Sequence, residues 1–334
     1  MSQQQQQHPH LRGTPTTTTT NSNNNIQNEL DIKFFNKLQS TIQTVQSWDD
    51  DPMLLAECRL LILIDDIRYD SGIYYEDRDK LITSSSTRFL QRLVRCFKER
   101  MTWINSPFCP NQCHNNTTNT NESTCISIGM REGETIEERE GQANRVEVYK
   151  CQVCSKIVTF PRYNSVRKLL QTGSGRCGEY ANLFGLVCRS MGYETRYILD
   201  MTDHVWTEVY IHDDNIMNGT SSHWIMVDSC EAVLDENSMY EAGWGKQLNC
   251  IIAVGIDHVI DVTSKYTRKF HNDDFQLRRR QHTTSESALD NVIQKCNHIL
   301  RTDMKQEQIN KIERRLSLER KLLQSYKLMN IWEK

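Results

Sequence analysis

Cys177 stands in a sequence context that suits a thiol nucleophile. The run from Gly173 to Glu179 is a glycine-rich approach to a helix, whose apolar residues recur at helical spacing until Gly192. The pattern therefore predicts that Cys177 lies at a helix N-terminus. There the positive end of the helix dipole and free backbone amides stabilise a thiolate, and the same amides can hold an oxyanion. A cysteine at a helix start is also a common small core residue, so this segment alone leaves both interpretations open.

Two stretches further along the chain supply a base and an acid. Asp203 to Tyr210 alternates as a strand does, with His204 near its start, and His223 to Asp228 is a second predicted strand that ends in a carboxylate. Adjacent antiparallel strands joined by the polar loop 213–222 would bring the histidine and the aspartate side by side. In the resulting Cys, His, Asp order, the imidazole deprotonates the thiol, while the carboxylate fixes the tautomer and stabilises the imidazolium.

Four further cysteines form two close pairs. Cys151 and Cys154 are a CxxC pair, and Cys109 and Cys113 form a pair that is one residue wider. Two such turns, each presenting two sulfurs on one side, are a common way to bind tetrahedral zinc. The sequence predicts one structural zinc ion that clamps two segments together, because no open coordination position is evident.

Other interpretations of these cysteines stay open. Because the first pair is CxxxC, His114 or Cys125 nearby could replace one ligand. A redox CxxC normally begins a helix, whereas Cys154 leads into Ser155 to Pro161, which is predicted to be extended. Plain buried or surface thiols are a further alternative.

Composition sets limits on the class of protein. The chain has 334 residues, a formal net charge of −3 and 37% apolar residues, so it can form a sizeable core but has no global attraction for nucleic acid phosphates. No run of eighteen apolar residues occurs, and the N-terminus lacks an apolar stretch that would serve as a secretory signal. We therefore expect no transmembrane segment, no nucleic acid partner and a location in the cytoplasm or nucleus. In such a reducing compartment, twelve cysteines favour metal ligands, a nucleophile or buried thiols over disulfides.

The chain divides into three predicted parts. Residues 1–28 are rich in Gln, Thr and Asn and are expected to be a disordered tail. Residues 29–275 are expected to form the folded body, with the zinc-binding segment at 103–160 inside it. Residues 276–334 carry spaced apolar residues among many charges, which predicts a long amphipathic helix or a helical pair. These helices would either pack on the body or bind a partner.

Shorter segments inside the body also have distinct patterns. Apolar residues from Ser86 to Met101 form one helical stripe and predict a core-facing helix. Asn115 to Thr124 reads as a flexible loop, and Arg131 to Glu147 is charged and is expected to be surface material. Ile157 to about Asp261 is densest in aromatic and β-branched residues and is expected to be the centre of the fold.

Six ordered motifs resemble the cytosolic peptide:N-glycanase family of the transglutaminase-like superfamily. They are FPRYN (Phe160 to Asn164), GRCGEYANLF (Gly175 to Phe184), DHVWTEVY (Asp203 to Tyr210), VDSCE (Val227 to Glu231), YEAGWGK (Tyr240 to Lys246) and DVTSKY (Asp261 to Tyr266). With the cysteine pairs, the resemblance covers roughly Phe89 to Phe270. It implies an α+β fold: a transglutaminase-like or papain-like cysteine hydrolase core with a four-cysteine zinc-binding insert and flanking helices.

The resemblance also assigns roles to residues. It makes Cys177 the nucleophile, His204 the base and Asp228 the orienting acid, and it makes Glu231 a glycan-contacting residue. The zinc ligands that it implies are Cys109, Cys113, Cys151 and Cys154. The implied reaction is hydrolysis of the amide between asparagine and the innermost sugar of an N-glycan, on unfolded N-glycoproteins retrotranslocated from the endoplasmic reticulum. A proteasome or ubiquitin-shuttle adaptor is an expected partner.

Aromatic residues are candidate walls of the substrate cleft. Trp206, Trp224 and Trp244 could contact sugar or peptide, although Trp206 and Trp224 are as readily core residues. Arg196 and Glu208 are either a structural ion pair or cleft residues.

The resemblance has departures and rivals. The first cysteine pair is wider than the family's usual CxxC, and the loop 213–222 is longer than expected. The length leaves no room for the additional domains of animal members, so we expect the compact form of the enzyme. A transglutaminase or a cysteine protease would use the same three residues, and a non-catalytic zinc-stabilised scaffold is a second alternative.

Overall fold

A computed structural model describes residues 28–61, 87–113, 123–212 and 223–332. The predictions for the N-terminal tail, for most of the loop 115–124 and for the loop 213–222 fall outside these ranges. So does His114, the alternative zinc ligand. Within the described ranges no helix combines the length and the apolar character needed to cross a bilayer.

Three helices begin the described chain: α1 (Glu29–Gln46), α2 (Pro52–Leu61) and α3 (Thr87–Arg100). The apolar stripe predicted in α3 is buried, from Phe89 to Phe97, while its arginines and lysine lie on the exposed side. The prediction of a core-facing helix is confirmed. Its cause is the 3.6-residue period, which puts every third or fourth apolar side chain on one face.

A three-stranded antiparallel sheet contains the cysteine pair Cys151 and Cys154 at one end. Its strands, in the order β2–β3–β4, are β2 (Cys125–Arg131), β3 (Arg145–Cys151) and β4 (Ile157–Arg162), with the short α4 (Ile136–Glu140) between β2 and β3. The extended conformation predicted after Cys154 is β4. A short parallel pair joins this region to the rest of the molecule: β1 (Thr102–Trp103) pairs with β5 (Ser174–Gly175).

A six-stranded antiparallel sheet forms the centre. It has the order β11–β10–β6–β7–β8–β9. The strands are β6 (Thr195–Asp200), β7 (His204–Ile211), β8 (His223–Asp228), β9 (Val233–Leu234), β10 (Ile251–Val254) and β11 (Val259–Asp261). The two predicted strands are β7 and β8, and they pair antiparallel with Thr207 opposite Val227.

Each face of this sheet is covered by helices. On one face, α6 (Cys177–Ser190), which follows α5 (Val166–Thr172), packs against β6, β7 and α2. Gly185 of α6 touches Trp48, where an added Cβ would lie 2.1 Å from the indole ring. The Trp48 indole also donates a hydrogen bond to Asn182 at 2.9 Å, so the helix is held in one position.

The C-terminal residues cover the opposite face. They form α7 (Thr263–Tyr266), α8 (Asp273–Arg279) and α10 (Gln306–Trp332), whereas α9 (Glu286–Leu300) packs against α1 and joins the core on the face of α6. Ile312, Leu316 and Leu323 of α10 join the core on that face. Helices and antiparallel sheets in one body confirm the predicted α+β class, and the domain boundaries at 275 and 276 stay predictions.

Candidate active site and metal centre

Cys177 is the first residue of α6. The carboxylate of Glu179 accepts a hydrogen bond from the backbone amide of Arg176 at 2.9 Å, which fixes the start of the helix. The amides of the first helical turn have no intrahelical acceptor, so they point toward whatever approaches the Cys177 sulfur. Cys177 is half-buried and lines a cleft of about 530 Å³ together with His204.

His204 and Asp228 are in contact. His204 Nε2 lies 2.9 Å from Asp228 Oδ2, and both side chains are buried. This contact leaves Nδ1 as the ring nitrogen available to the Cys177 thiol, which lines the same cleft. Burial alone would lower the pKa of His204, but the hydrogen bonds to Asp228 and Cys177 outweigh it and raise the pKa to about 9. The three predicted catalytic residues are therefore brought together.

Asp228 is a fully buried carboxylate with four donors. Besides His204, it accepts hydrogen bonds from the amides of Cys230 at 2.7 Å and Glu231 at 3.2 Å, and from the Tyr240 hydroxyl at 2.6 Å. Burial opposes ionisation, yet the bond to His204 and these donors lower its pKa. Sequence reasoning did not single out Tyr240, although it lies in the motif YEAGWGK; a π-helical turn (Met239–Gly243) turns its ring edge-on toward His204.

The predicted aromatic walls behave differently from one another. Trp244 is 50% exposed, and its ring centroid lies 5.4 Å from that of His204. Trp206 is completely buried, and its indole donates to the Tyr266 hydroxyl at 3.0 Å. The interpretation of Trp206 as a cleft wall is wrong, because a side chain inside the core has no surface left for substrate. Trp224 is also buried, beneath the guanidinium of Arg196.

Glu231 lies beside the three residues but not among the described residues that line the 530 Å³ cleft. Its carboxylate is 44% exposed and lies 4.0 Å from Lys98 Nζ on α3. Its backbone amide donates to Asp228, and its carboxylate, paired with Lys98, is exposed to a molecule that extends past the cleft.

Arg196 and Glu208 are a structural ion pair rather than cleft residues. Both side chains are fully buried, on neighbouring positions of β6 and β7, with the Arg196 Nη2 and a Glu208 oxygen 2.5 Å apart. Glu319 of α10 and Lys265 of α7 complete the group at 2.6 Å each.

Four sulfurs meet at the end of the three-stranded sheet. Cys109, Cys113, Cys151 and Cys154 have all their sulfur atoms within 4.8 Å of one another. The Cys109 sulfur lies 3.7 Å from that of Cys113 and 3.5 Å from that of Cys154. Tetrahedral zinc with Zn–S bonds of about 2.3 Å needs sulfurs about 3.8 Å apart, so these four residues fit the ion. Cys125 lies outside this group.

The wider first pair closes because of one backbone angle. Gln112 has φ 54°, in the left-handed region, and its amide donates to the Cys109 carbonyl at 2.9 Å. The resulting turn returns the chain so that Cys113 faces Cys109 despite the extra residue. A hydrogen bond with the Thr124 hydroxyl, together with nearby backbone amides, lowers the pKa of Cys151 to about 6, which favours the thiolate that a metal requires.

The segment Arg131 to Glu147 was expected to be surface material, and this is wrong for two of its acids. Glu138 and Glu147 are buried, each paired with arginine at 2.8 Å. A charge-rich sequence does not show which of its charges become buried, and that is why both were missed.

Parts of this chain are similar to a known protein family and to several proteins of known name. Residues 127–229 match the model of the transglutaminase-like superfamily. An Arabidopsis thaliana protein called peptide-N(4)-(N-acetyl-beta-glucosaminyl)asparagine amidase is 41% identical over 227 residues, which is 68% of this chain and 29% of that protein. Proteins of the same name are 36% identical in Oryza sativa, over 71% of this chain and 50% of the relative, and 36% identical in Homo sapiens, over 70% and 34%. The resemblance seen in the sequence is confirmed, and the chain spans half or less of the length of these relatives.

Proposed function

Because residues 127–229 form a transglutaminase-like domain within a chain similar to the glycan-removing amidases, we propose that this protein hydrolyses the β-aspartylglucosaminyl amide bond of N-glycosylated proteins. The glycan leaves intact, and asparagine becomes aspartate. The observation that carries the proposal is the contact between His204 and Asp228 in a cleft that Cys177 shares.

The first step uses the charges that the site already holds. Although burial lowers it, the pKa of His204 is raised to about 9 by Asp228 and Cys177, so the imidazole readily holds the proton that the Cys177 sulfur gives up. The thiolate attacks the side-chain carbonyl, and the amides at the start of α6 are placed to stabilise the oxyanion. As the C–N bond breaks, His204 donates its proton to the departing glycosylamine, which leaves an aspartyl thioester on Cys177.

The second step regenerates the enzyme. Neutral His204 takes a proton from water, which attacks the thioester carbonyl. The C–S bond breaks, the Cys177 thiolate returns, and the peptide is released with a carboxylate at the former asparagine. Asp228 keeps the imidazole oriented throughout and stabilises its charged form.

The substrate that fits this cleft is an unfolded N-glycoprotein. A folded protein presents its asparagine poorly to a half-buried sulfur, whereas an extended chain can pass along the cleft. Trp244, half-exposed beside His204, is placed to stack on a sugar or peptide group, and Glu231 to accept hydrogen bonds from sugar hydroxyls.

The cellular setting follows from this substrate. The twelve cysteines all lie in described residues and no disulfide joins them, which supports a reducing compartment, the cytoplasm or nucleus, and a role in degrading misfolded glycoproteins. An adaptor linked to ubiquitin or the proteasome would be a second partner. The exposed leucines 318, 322 and 328 on α10 offer an apolar surface for it.

The four-cysteine group is proposed to hold one structural Zn²⁺. The sulfur spacing supports this assignment, and the ion would tie the loop of Cys109 and Cys113 to the end of β3 without taking part in the reaction. Purified protein should contain about one zinc per chain, and Cys151→Ser should lose it. Full metal content in that variant would refute the assignment.

The function is tested with a denatured N-glycoprotein and three proteins: wild type, Cys177→Ala and Cys188→Ala. Cys188 is a buried thiol of the same helix that lies outside the cleft, so its variant controls for losing a sulfur from α6. We expect glycan release by wild type and by Cys188→Ala but not by Cys177→Ala. Isopeptide formation or backbone cleavage would instead identify a transglutaminase or a protease. An unchanged set of activities in Cys177→Ala would identify a scaffold.

A further inference from the structure

One face of strand β3 connects the metal centre to the nucleophile. Side chains alternate along a strand, so Glu147, Tyr149 and Cys151 project to the same side of β3. Cys151 is one of the four clustered sulfurs at the end of the strand. The Tyr149 hydroxyl donates a hydrogen bond to Glu147 at 2.7 Å, so the two residues act as one acceptor surface.

That surface binds Arg176, the residue that precedes Cys177. Arg176 donates to both carboxylate oxygens of Glu147, at 3.1 and 2.8 Å, and to the Tyr149 hydroxyl at 2.9 Å. Its Nε donates to the Ile104 carbonyl at 2.7 Å, and Nη2 also lies 2.9 Å from the Asn105 carbonyl. Five hydrogen bonds fix a guanidinium that would otherwise be a flexible surface group.

A second arginine closes a ring of charges around the start of α6. Arg162 of β4 donates to Glu147 at 2.9 Å and forks onto Glu179 at 2.7 and 2.8 Å. Glu179 in turn accepts the Arg176 amide at 2.9 Å. Two arginines and two glutamates balance in charge, and every bond in the ring is charge-assisted.

We propose that Glu147 and Tyr149 are positioning residues for Cys177: they lock Arg176, and with it the first turn of α6, onto the strand that is clamped at its other end by the Cys151 metal ligand. This inference rests on the proposed function. It gives the four-cysteine module a task in catalysis, which is to hold the sulfur at its distance from His204, in addition to any contribution to folding.

The mechanism explains why the position matters. Cys177 comes from a helix on one face of the central sheet and His204 from the start of β7, so no single element sets their separation. A displacement of about 1 Å between reacting groups can cost about 100-fold in rate. Fixing the side chain of the residue that precedes Cys177 is a direct way to limit such displacement.

The test compares Glu147→Gln with a matched control, Glu138→Gln. Glu138 is also a buried glutamate of the same region, bound by both Nη atoms of Arg131 at 2.8 Å, but it makes no contact with Arg176. For each protein, kcat and KM are measured on a denatured glycoprotein, together with zinc content and unfolding temperature. The alkylation rate of Cys177 by iodoacetamide is followed on its own peptide by mass spectrometry.

We expect Glu147→Gln to lower kcat by about 10- to 100-fold with KM within about twofold, and to slow the alkylation of Cys177, while zinc stays bound. Glu138→Gln should leave kcat and the alkylation rate within about twofold of wild type, whatever its effect on unfolding temperature. A raised KM with unchanged kcat in Glu147→Gln would make Glu147 a substrate contact and overturn the proposal. An equal loss of kcat in both variants would show that Glu147 only contributes to the general stability of the protein, and it would also overturn the proposal.

Tyr149→Phe provides a milder change, because it removes only a hydroxyl and keeps the ring. It should lower kcat and slow the alkylation of Cys177 by several-fold. If Glu147→Gln does not fold, Tyr149→Phe is the variant that tests whether this pair positions Cys177. Normal kcat and alkylation in Tyr149→Phe would then contradict the proposal. The alkylation rate needs no glycoprotein, so it tests the positioning even where the wild type fails to release glycans, an outcome that would refute the proposed function alone.

Discussion

Two neighbours, Asp228 and Cys177, decide the charge state of His204. Asp228 contacts Nε2 at 2.9 Å, and Cys177 lines the same cleft as His204. Because both partners favour the charged imidazole, the pKa of His204 rises to about 9 despite its burial. At neutral pH the proton needed by the leaving group is therefore already in place.

The pH dependence of the reaction should follow His204. Activity should fall as the pH rises through about 9, because the imidazolium then loses the proton that it donates. Asp228→Asn removes the negative charge, which lowers the pKa of His204, so the alkaline limb of kcat/KM moves to lower pH and the rate falls by about 100-fold or more.

Asp203→Asn is the control for that variant. Asp203 lines the same cleft, and its φ of 77° is tolerated by asparagine, so only a nearby charge is lost. An alkaline limb that stays in place in Asp228→Asn, or moves equally in Asp203→Asn, would contradict the role given to Asp228.

Replacing each of the two tryptophans near His204 should affect a different quantity: KM for Trp244 and the free energy of unfolding for Trp206. Trp244→Ala removes a half-exposed ring and should raise KM while unfolding is little affected. Trp206→Ala empties a core position and should cost about 3 to 5 kcal/mol of unfolding free energy. Urea unfolding and steady-state kinetics on both variants check this; an unaltered KM in Trp244→Ala would remove it from the substrate site.

At the scale of elements, buried charge joins the C-terminal helix to the central sheet. Arg196 on β6 and Glu208 on β7 are fully buried, and they meet Glu319 of α10, whose side chain is 11% exposed. The position of α10 is therefore specified by charge as well as by apolar contacts. Breaking such a pair leaves an uncompensated ion in the core.

Arg196→Met should therefore destabilise the protein by about 3 to 5 kcal/mol, because Glu208 and Glu319 lose their shared counter-ion. The control is Arg320→Met on α10, whose side chain is 52% exposed and pairs with the partly exposed Glu313. It should change the unfolding free energy by about 0.5 kcal/mol or less. Denaturant unfolding measures both, and equal effects would show that burial of the Arg196 group does not matter.

At the scale of the whole molecule, periodic patterns predicted the elements and ordered motifs predicted the site. The helices of Phe89 and Cys177 and the strands β7 and β8 follow from repeating apolar residues, and strand adjacency brings His204 to Asp228. Sequence reasoning failed where the cause is tertiary. Trp206 has the same composition cue as Trp244, and only the covering helices bury it.

The missed contacts share one physical feature. Tyr240 reaches Asp228 through a π-helical turn, and Glu147 reaches Arg176 across 29 residues of chain. Neither contact follows from a periodic pattern or a fixed spacing of residues, so neither could be predicted from a short segment of the sequence. Such long-range polar pairs complete a site whose main residues are recognisable in the sequence.

The most direct test of the central claim is the product formed in water enriched in oxygen-18. A denatured N-glycoprotein treated with the wild-type chain should release its glycan and acquire one heavy oxygen at the former asparagine, now aspartate, as read by mass spectrometry of that peptide. Cys177→Ala should give neither change. Label incorporation at a cleaved backbone bond, a cross-linked peptide in place of aspartate, or the same product from Cys177→Ala would contradict the account.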